Sequence, residues 1–250
     1  MIPMIILPLI LMVLLPGLIG GVIPLLDDMG EPPTEDLEIF LSRMPPNILE
    51  ELSGYNEMQT MVAVLLTYLF APLFLILPLM VASTIAANSF AGEKERKTLE
   101  ALLYTPTTDT ELFIGKTLAA WIPAVLIALV GFVLYSIVVN VASWPTMGKL
   151  FFPNAMWLML IVWVAPAAAG LGLGSMILVS SKANSFQEAY QIGSAVVLPV
   201  VMLLFGQVSG VLYFTVGVVF LVGCILWLID AAILWFAVKT FQRREIIARL

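Results

Sequence analysis

A dense cluster of charged side chains is the feature of this sequence with the clearest chemical role. Six of the eight residues from position 93 to position 100 are charged: Glu93, Lys94, Glu95, Arg96, Lys97 and Glu100. Charged residues make up only 11% of the whole chain, and long apolar runs lie on both sides of this segment. Such a segment must lie in water at the face of a membrane, where it can bind a soluble partner protein.

Catalysis is not the chemistry that the residue types of this chain favour. The chain contains no histidine, which removes the commonest metal ligand and the usual general base near neutral pH. A Ser-His-Asp triad and a zinc site are therefore excluded. The single cysteine, Cys224, cannot form an intrachain disulfide. We predict that the chain is not an enzyme and that it binds no metal.

The tripeptide Gly115-Lys116-Thr117 resembles the end of a nucleotide-binding P-loop, but the rest of that motif is missing. The full motif needs a glycine five positions before Gly115, where this chain has Thr110. It also needs a preceding strand, and the apolar surroundings favour a helix. We therefore predict that energy from ATP must come through another polypeptide.

Asp230 is the only acidic residue deep within an apolar run. An ionisable side chain inside a membrane marks a candidate path for a substrate, an ion or a proton. The alternative is a protonated or hydrogen-bonded aspartate that holds helices together. Replacement of Asp230 by asparagine separates these interpretations, because transport that uses the charge would be lost.

Long apolar runs must position these side chains. The chain is 61% hydrophobic with a mean hydropathy of +1.06, whereas soluble domains are roughly 45–50% apolar. A run of about 20 apolar residues crosses the hydrocarbon core as a helix, which satisfies its own backbone hydrogen bonds. We predict an all-α, polytopic membrane protein with a single transmembrane domain over residues 1–250. Its six spans lie approximately at residues 3–26, 60–89, 113–140, 154–179, 189–206 and 211–238.

Small residues are concentrated in the fourth of these spans. Gly170, Gly172 and Gly174 lie close together there, with alanines before them. Small side chains let helices approach each other closely, so we interpret this span mainly as a packing element. A substrate path or a dimer seam is the alternative.

The cations are unevenly divided between the two sides of the predicted bundle. One side carries Lys94, Arg96, Lys97, Lys116, Lys182, Lys239, Arg243, Arg244 and Arg249, and the other carries Arg43 and Lys149. This bias predicts a cell-membrane protein with both termini and the loop 90–112 in the cytoplasm. The external loop 27–58 contains nine acidic residues against Arg43 alone. We predict that it is a solvated, lightly structured cap.

The charged loop is predicted to contain a helix over residues 91–103 that continues the second span. The pairs Glu93–Lys97 and Arg96–Glu100 have the i,i+4 spacing that places opposite charges on one helix face. An apolar stripe follows at Leu99, Leu102 and Leu103, and it can bury itself in a groove on another protein.

This helix is predicted to stop before the third span begins. Pro106 ends it, and Thr108 and Glu111 have the capping-box spacing that starts the next helix. The result is a helix, a tight break and a second helix at the membrane surface. A plain solvated loop that obeys the positive-inside rule is the alternative.

The same segment resembles the hallmark loop of the type-2 ATP-binding-cassette (ABC) permeases. That family's pattern is G-E-K/R-E, then T-L-E, L-L, P and G-K, between the second and third of six spans. The matching residues here are Gly92-Glu93-Lys94-Glu95, Thr98-Leu99-Glu100, Leu102-Leu103, Pro106 and Gly115-Lys116. The six-span layout extends the resemblance to almost the whole chain. One departure is that members usually begin with a basic amphipathic helix, whereas Met1 already lies in an apolar run.

The resemblance implies a fold, a partner and a role. The fold is the six-helix half of a type-2 ABC exporter, and the role is that of its permease subunit. The partner is a separate cytoplasmic ATPase that binds ATP and Mg²⁺, so this chain itself would need no cofactor. Two copies of each subunit would make the pump, as a homodimer or a heterodimer of permeases in membrane lipid, without nucleic acid.

The resemblance also implies which residues contact the ATPase. In the family, this loop carries the coupling helix that docks on the ATPase. The positions so implied are Glu93, Glu95, Thr98, Leu99, Glu100, Leu102 and Leu103. Lys182 and Glu188, in the short loop 181–188, would form a second and lesser contact. Lys94, Arg96 and Lys97 would balance charge and face lipid headgroups.

Two other classes of function compete with this interpretation. A channel or an ATPase-independent secondary carrier would use Asp230 and the acidic external loop, but no convincing internal repeat of the kind common in carriers is present. A purely structural membrane scaffold is the third class. The apolar walls of the spans favour hydrophobic or lipid-like cargo.

Overall fold

The computed structural model describes Ile6, Ile10 and residues 12–22, 41–96, 108–183 and 185–240. Within these ranges every regular element is a helix and no strand occurs. The helices are α1 (Met12–Val22), α2 (Pro46–Leu52), α3 (Glu57–Glu95), α4 (Asp109–Ala142), α5 (Trp144–Met147), α6 (Ala155–Ser180), α7 (Phe186–Val208) and α8 (Val216–Thr240).

Five of these helices are long and apolar enough to cross a membrane, namely α3, α4, α6, α7 and α8. They overlap the predicted spans two to six, and α3 extends beyond its span into the charged segment. The first span is represented by α1, a shorter apolar helix. The predicted all-α membrane fold is therefore confirmed.

Each of the five long helices begins at a polar side chain that caps it. Oxygens of Asn56, Thr108, Asn154, Ser185 and Thr215 accept hydrogen bonds from backbone amides three residues further on. The first amides of a helix have no acceptor within the helix, so a short polar side chain fixes where the helix starts. The capping box predicted at Thr108 is complete, because the Glu111 side chain also accepts from the Thr108 amide.

Helices α3 and α6 form the centre of the bundle. The apolar window of each is 72% buried, against 17% for α7 and for α8. A Cβ atom at Gly172 of α6 would lie 2.8 Å from Ser83 Oγ of α3, and one at Gly174 would lie 2.7 Å from Ile233 of α8. The small residues of the fourth span are thus packing positions, because any side chain there would overlap a neighbouring helix.

A π-helical turn at Val64–Leu69 of α3 accepts hydrogen bonds from three other helices. Such a turn departs from regular α-helical bonding, and here its carbonyls meet outside donors. Tyr135 Oη of α4 bonds Leu66 O (2.6 Å), Trp157 Nε1 of α6 bonds Thr67 O (2.6 Å) and Gln207 Nε2 of α7 bonds Tyr68 O (2.8 Å). We call these three consecutive carbonyls the carbonyl hub. It joins four of the five long helices at one level of the bundle.

The described part of the predicted external loop is more firmly packed than a solvated cap. Ile48 and Leu52 of α2 are buried, with 2% and 5% of their surface exposed. The Glu51 carboxylate accepts a hydrogen bond from Tyr68 Oη at 2.8 Å, and Arg43 donates to Ser209 O at 3.1 Å. The acidic composition had pointed to solvation, but the apolar face of α2 is buried against the bundle.

Candidate functional site

The charged segment forms the end of α3, where the sequence predicted it. A second π-helical turn spans Asn88–Gly92, and the helix then ends in one short turn at Glu93–Glu95. The predicted continuation of the second span is confirmed as far as Glu95. Of the predicted ATPase contacts, Thr98, Leu99, Glu100, Leu102 and Leu103 lie outside the described residues. We refer to residues 88–96, 108–116 and 180–188 as the charged end of the bundle.

Glu93 forms an ion pair with Lys116 of α4. The Lys116 side chain is only 8% exposed, and its Nζ also donates to Ser89 O at 3.0 Å. The ring of Phe90 lies 5.4 Å from the same ammonium group. Two of the three N–H donors of Lys116 are thus used inside the bundle, and the residue lies in a helix without the preceding strand of a P-loop.

Lys94 and Glu95 reach the segment that joins α6 to α7. Lys94 Nζ donates a hydrogen bond to Ala183 O at 3.1 Å. The Glu95 carboxylate accepts one from the backbone amide of Phe186 at 2.9 Å, at the start of α7. Lys94 thus bonds a protein carbonyl, where sequence analysis had placed it toward lipid headgroups. Arg96 donates a longer bond of 3.4 Å to Asn88 Oδ1 within α3.

The two residues of the predicted second contact lie beside these bonds. Lys182 is exposed. Glu188 is half-buried, and its backbone amide donates to the capping Ser185 Oγ at 3.1 Å. The structure therefore brings Glu93, Glu95, Lys182 and Glu188 into one region, although their loops are about 90 residues apart in the sequence.

Sequence analysis missed the role of Lys116. The i,i+4 rule assigned Glu93 to Lys97, which lies outside the described residues, whereas the structure pairs Glu93 with Lys116. The Gly115-Lys116 element of the family pattern was the available signal. A lysine near the start of a membrane helix needs a partner of opposite charge, so it predicts a nearby carboxylate. The Glu93 carboxylate and the Ser89 carbonyl stabilise a cation at this position.

Asp230 lies away from the charged end, within the packing of α8 against α6. It is 2% exposed, and neither carboxylate oxygen has a hydrogen-bond partner among the described residues. A Cβ atom at Gly170 would lie 2.9 Å from Asp230 Cγ. The carboxyl group thus occupies the space that the missing side chain of Gly170 leaves.

The described residues contain no cluster of candidate metal ligands. No three His, Cys, Asp or Glu side chains in these parts of the chain lie together as metal ligands would. The chemistry of the charged end is ion pairing and hydrogen bonding between helix ends. Such contacts position helices relative to one another.

These features define a multi-pass helical membrane protein with a charged junction at one end of the bundle. The chain matches the model of the family described as ABC-2 family transporter protein over residues 2–238, so it belongs to that family. The searches of curated proteins and of solved structures found no match. The chain is therefore the membrane subunit of an ABC transporter, and its family implies an ABC ATPase as partner.

Proposed function

We propose that the chain is the permease half of an ABC exporter that is driven by ATP hydrolysis on a separate cytoplasmic ATPase. One observation carries the proposal beyond the family match. The last turn of α3, at Glu93–Glu95, bonds α4, the end of α6 and the start of α7, and it leads directly into the Thr98-Leu99-Glu100 motif. A movement imposed on that motif therefore reaches three further membrane helices.

In this mechanism the charged end faces the cytoplasm, as do both termini. ATP binding closes two ATPase subunits, and the movement passes through residues 93–103 into α3 and α4. Two permease copies then change from an inward-facing to an outward-facing state and release their cargo outside. ATP and Mg²⁺ are bound by the ATPase, and this chain contributes no nucleotide site.

Co-purification from membranes tests this proposal. The permease is co-expressed with its ABC ATPase, and ATP hydrolysis is measured on the complex in lipid. We expect a stable complex that is lost, with a fall of at least about tenfold in recovered ATPase activity, when Leu99, Leu102 and Leu103 are all changed to serine. The loss follows because an apolar stripe that fills a groove contributes most of such a contact.

The matched control is Leu150→Ser, which changes an exposed leucine (74%) in the loop between α5 and α6. This variant should retain the ATPase. A permease that purifies alone with ATP, with ADP and without nucleotide would contradict the proposal.

A channel or secondary carrier is the second candidate, and it is favoured by the buried carboxyl of Asp230, which has no hydrogen-bond partner among the described residues. Ionisable groups inside a membrane commonly mark ion or proton paths. If no ATPase binds, ion flux through Asp230→Asn in liposomes becomes the deciding measurement. Absence of flux in the wild type would remove this candidate, and flux that persists unchanged in the variant would show that the Asp230 charge is not used.

A further inference from the structure

We propose that Glu93, Lys94 and Glu95 form a joint inside the permease, with a rigid side and a releasable side, rather than a surface that docks on the ATPase. This inference rests on the proposed function and assigns these three side chains a different task within it. Docking on the ATPase then falls to the residues that follow Arg96.

The helical geometry lets three neighbouring side chains reach three different partners. Successive residues of a helix point about 100° apart around its axis. At the end of α3, Glu93 meets Lys116 of α4, Lys94 meets Ala183 after α6, and Glu95 meets Phe186 at the start of α7. Each side chain therefore bonds a group inside the permease. A residue that docks on the ATPase would instead need to face outwards.

The bond from Glu93 forms the rigid side of the joint. Lys116 is 8% exposed and Glu93 is 26% exposed, so both charges are largely withdrawn from water. Separation would take the Glu93 carboxylate away from the Lys116 ammonium in a poorly solvated place, which strongly disfavours it. The cytoplasmic halves of α3 and α4 should therefore move as one unit.

The bonds from Lys94 and Glu95 form the releasable side, which we call the clasp. Glu95 is exposed and Lys94 is half-buried, so water can replace either bond at little cost. The Glu95 carboxylate also lies at the positive end of the α7 dipole, which favours the closed clasp without burying the charge. A displacement of the chain after Arg96 would open the clasp before it separates α3 from α4.

Hydrogen exchange at the Phe186 amide reports the state of the clasp directly. Phe186 is the first residue of α7, so its amide has no acceptor within that helix and depends on Glu95. Exchange is measured on the full-length permease in lipid, first alone and then with the ATPase and MgATP. The variants are Glu95→Ala and Lys94→Ala, and the control is Gln191→Ala, an exposed position further along α7.

We expect Glu95→Ala to speed exchange at Phe186 roughly tenfold in the permease alone, the factor that corresponds to one hydrogen bond of about 1.4 kcal/mol. With ATPase and MgATP, the wild-type protein and the control should show a nucleotide-dependent change in this exchange, which Glu95→Ala and Lys94→Ala should lose. Both clasp variants should still co-purify with the ATPase within about twofold of wild type.

Two results would overturn the clasp. One is loss of ATPase binding in Glu95→Ala with unchanged exchange at Phe186, which would make Glu95 a docking residue. The other is a nucleotide-dependent change in Glu95→Ala that equals that of wild type. If the wild-type permease binds no ATPase at all, the proposed function fails, while exchange in the permease alone still shows whether the clasp exists.

The rigid side is tested by exchanging its charges. Glu93→Gln should lower the thermal unfolding temperature of the purified permease by several degrees, because it leaves Lys116 buried without a carboxylate. The double variant Glu93→Lys with Lys116→Glu should unfold at a temperature at least halfway from that of Glu93→Gln to that of the wild type. If the double variant were destabilised as much as the summed effects of Glu93→Lys alone and Lys116→Glu alone, the two residues would not act as a link.

Discussion

Two buried ionisable side chains of this protein have opposite surroundings. Lys116 has a carboxylate and a backbone carbonyl within bonding distance. Asp230 has no such partner among the described residues, and its carboxyl group packs against the backbone of Gly170. A buried charge without a partner strongly destabilises the fold, whereas a well-packed neutral group of the same shape does not. The shape of Asp230 therefore matters for packing independently of any transport role.

We predict that Gly170→Ala destabilises the permease more than Asp230→Asn does. The added methyl group would overlap the Asp230 carboxyl, and overpacking of this kind costs roughly 1–3 kcal/mol. Asparagine keeps the shape of Asp230, so Asp230→Asn should cost less than about 1 kcal/mol. Thermal unfolding in detergent measures both changes.

The control for this comparison is Gly217→Ala in α8. A Cβ atom at Gly217 would meet nothing within 4 Å, so this variant should unfold like the wild type. If Gly170→Ala were as stable as Gly217→Ala, the close packing between α6 and α8 would not be a feature of the folded protein.

At the scale of helices, α3 is the element to which α4, α6 and α7 are bonded. The carbonyl hub ties α4, α6 and α7 to one part of it, and the joint ties the ends of the same three helices to its last turn. The hub bonds are buried and neutral, whereas the joint is charged and partly exposed. Movement of α3 should therefore pivot near the hub and have its largest amplitude at the charged end.

We predict that the hub is a stability element. Trp157→Phe removes the donor to Thr67 O but keeps an aromatic ring in the stack with Tyr135, whose ring centre lies 4.9 Å away. Loss of one buried hydrogen bond should cost about 0.5–1.5 kcal/mol. Chemical or thermal unfolding of the purified permease measures this loss.

Trp144→Phe provides the matched control for Trp157→Phe. Trp144 is 53% exposed, so this change should leave the unfolding midpoint within about a degree of wild type. Equal midpoints for the two variants would mean that the hub bond to α6 contributes nothing measurable.

At the scale of the whole molecule, the two ends of the bundle differ in composition and in contacts. Among the described residues, one end carries the joint with Lys94, Arg96, Lys116 and Lys182, and the other carries α2 and α5 with Arg43 and Lys149. From the positive-inside rule we predict that the first of these ends faces the cytoplasm. That orientation also places the predicted ATPase contact on the side where ATP is available.

We predict the accessibility of engineered cysteines from this orientation. In a Cys224→Ser background, Leu150→Cys should react with a membrane-impermeant maleimide on intact cells. Lys182→Cys should react only after the cells are permeabilised, because the rule places it on the cytoplasmic side. Labelling of Lys182→Cys on intact cells, without labelling of Leu150→Cys, would invert the topology and contradict the proposed function.

The sequence by itself determined five of the spans to within a few residues, the start of α4 and the family. Long apolar runs can only be helices in lipid, and the capping box at Thr108 and Glu111 depends on residues three positions apart, so these features are local. The G-E-K-E pattern was equally readable, because its residues are consecutive. The partner of Glu93 could not be predicted in this way, because helix pairing rules relate residues only three or four positions apart.

Only the tertiary structure decided which distant groups meet. The pairing of Glu93 with Lys116 needs α4 packed on α3, and the clasp needs the end of α6 beside both. The carbonyl hub was invisible for the same reason, because its acceptors are backbone atoms that every residue possesses and its donors come from three separate helices. Composition indicates which segments enter the membrane. Whether a polar group inside the membrane stabilises or destabilises the fold depends on the neighbour that packing places beside it.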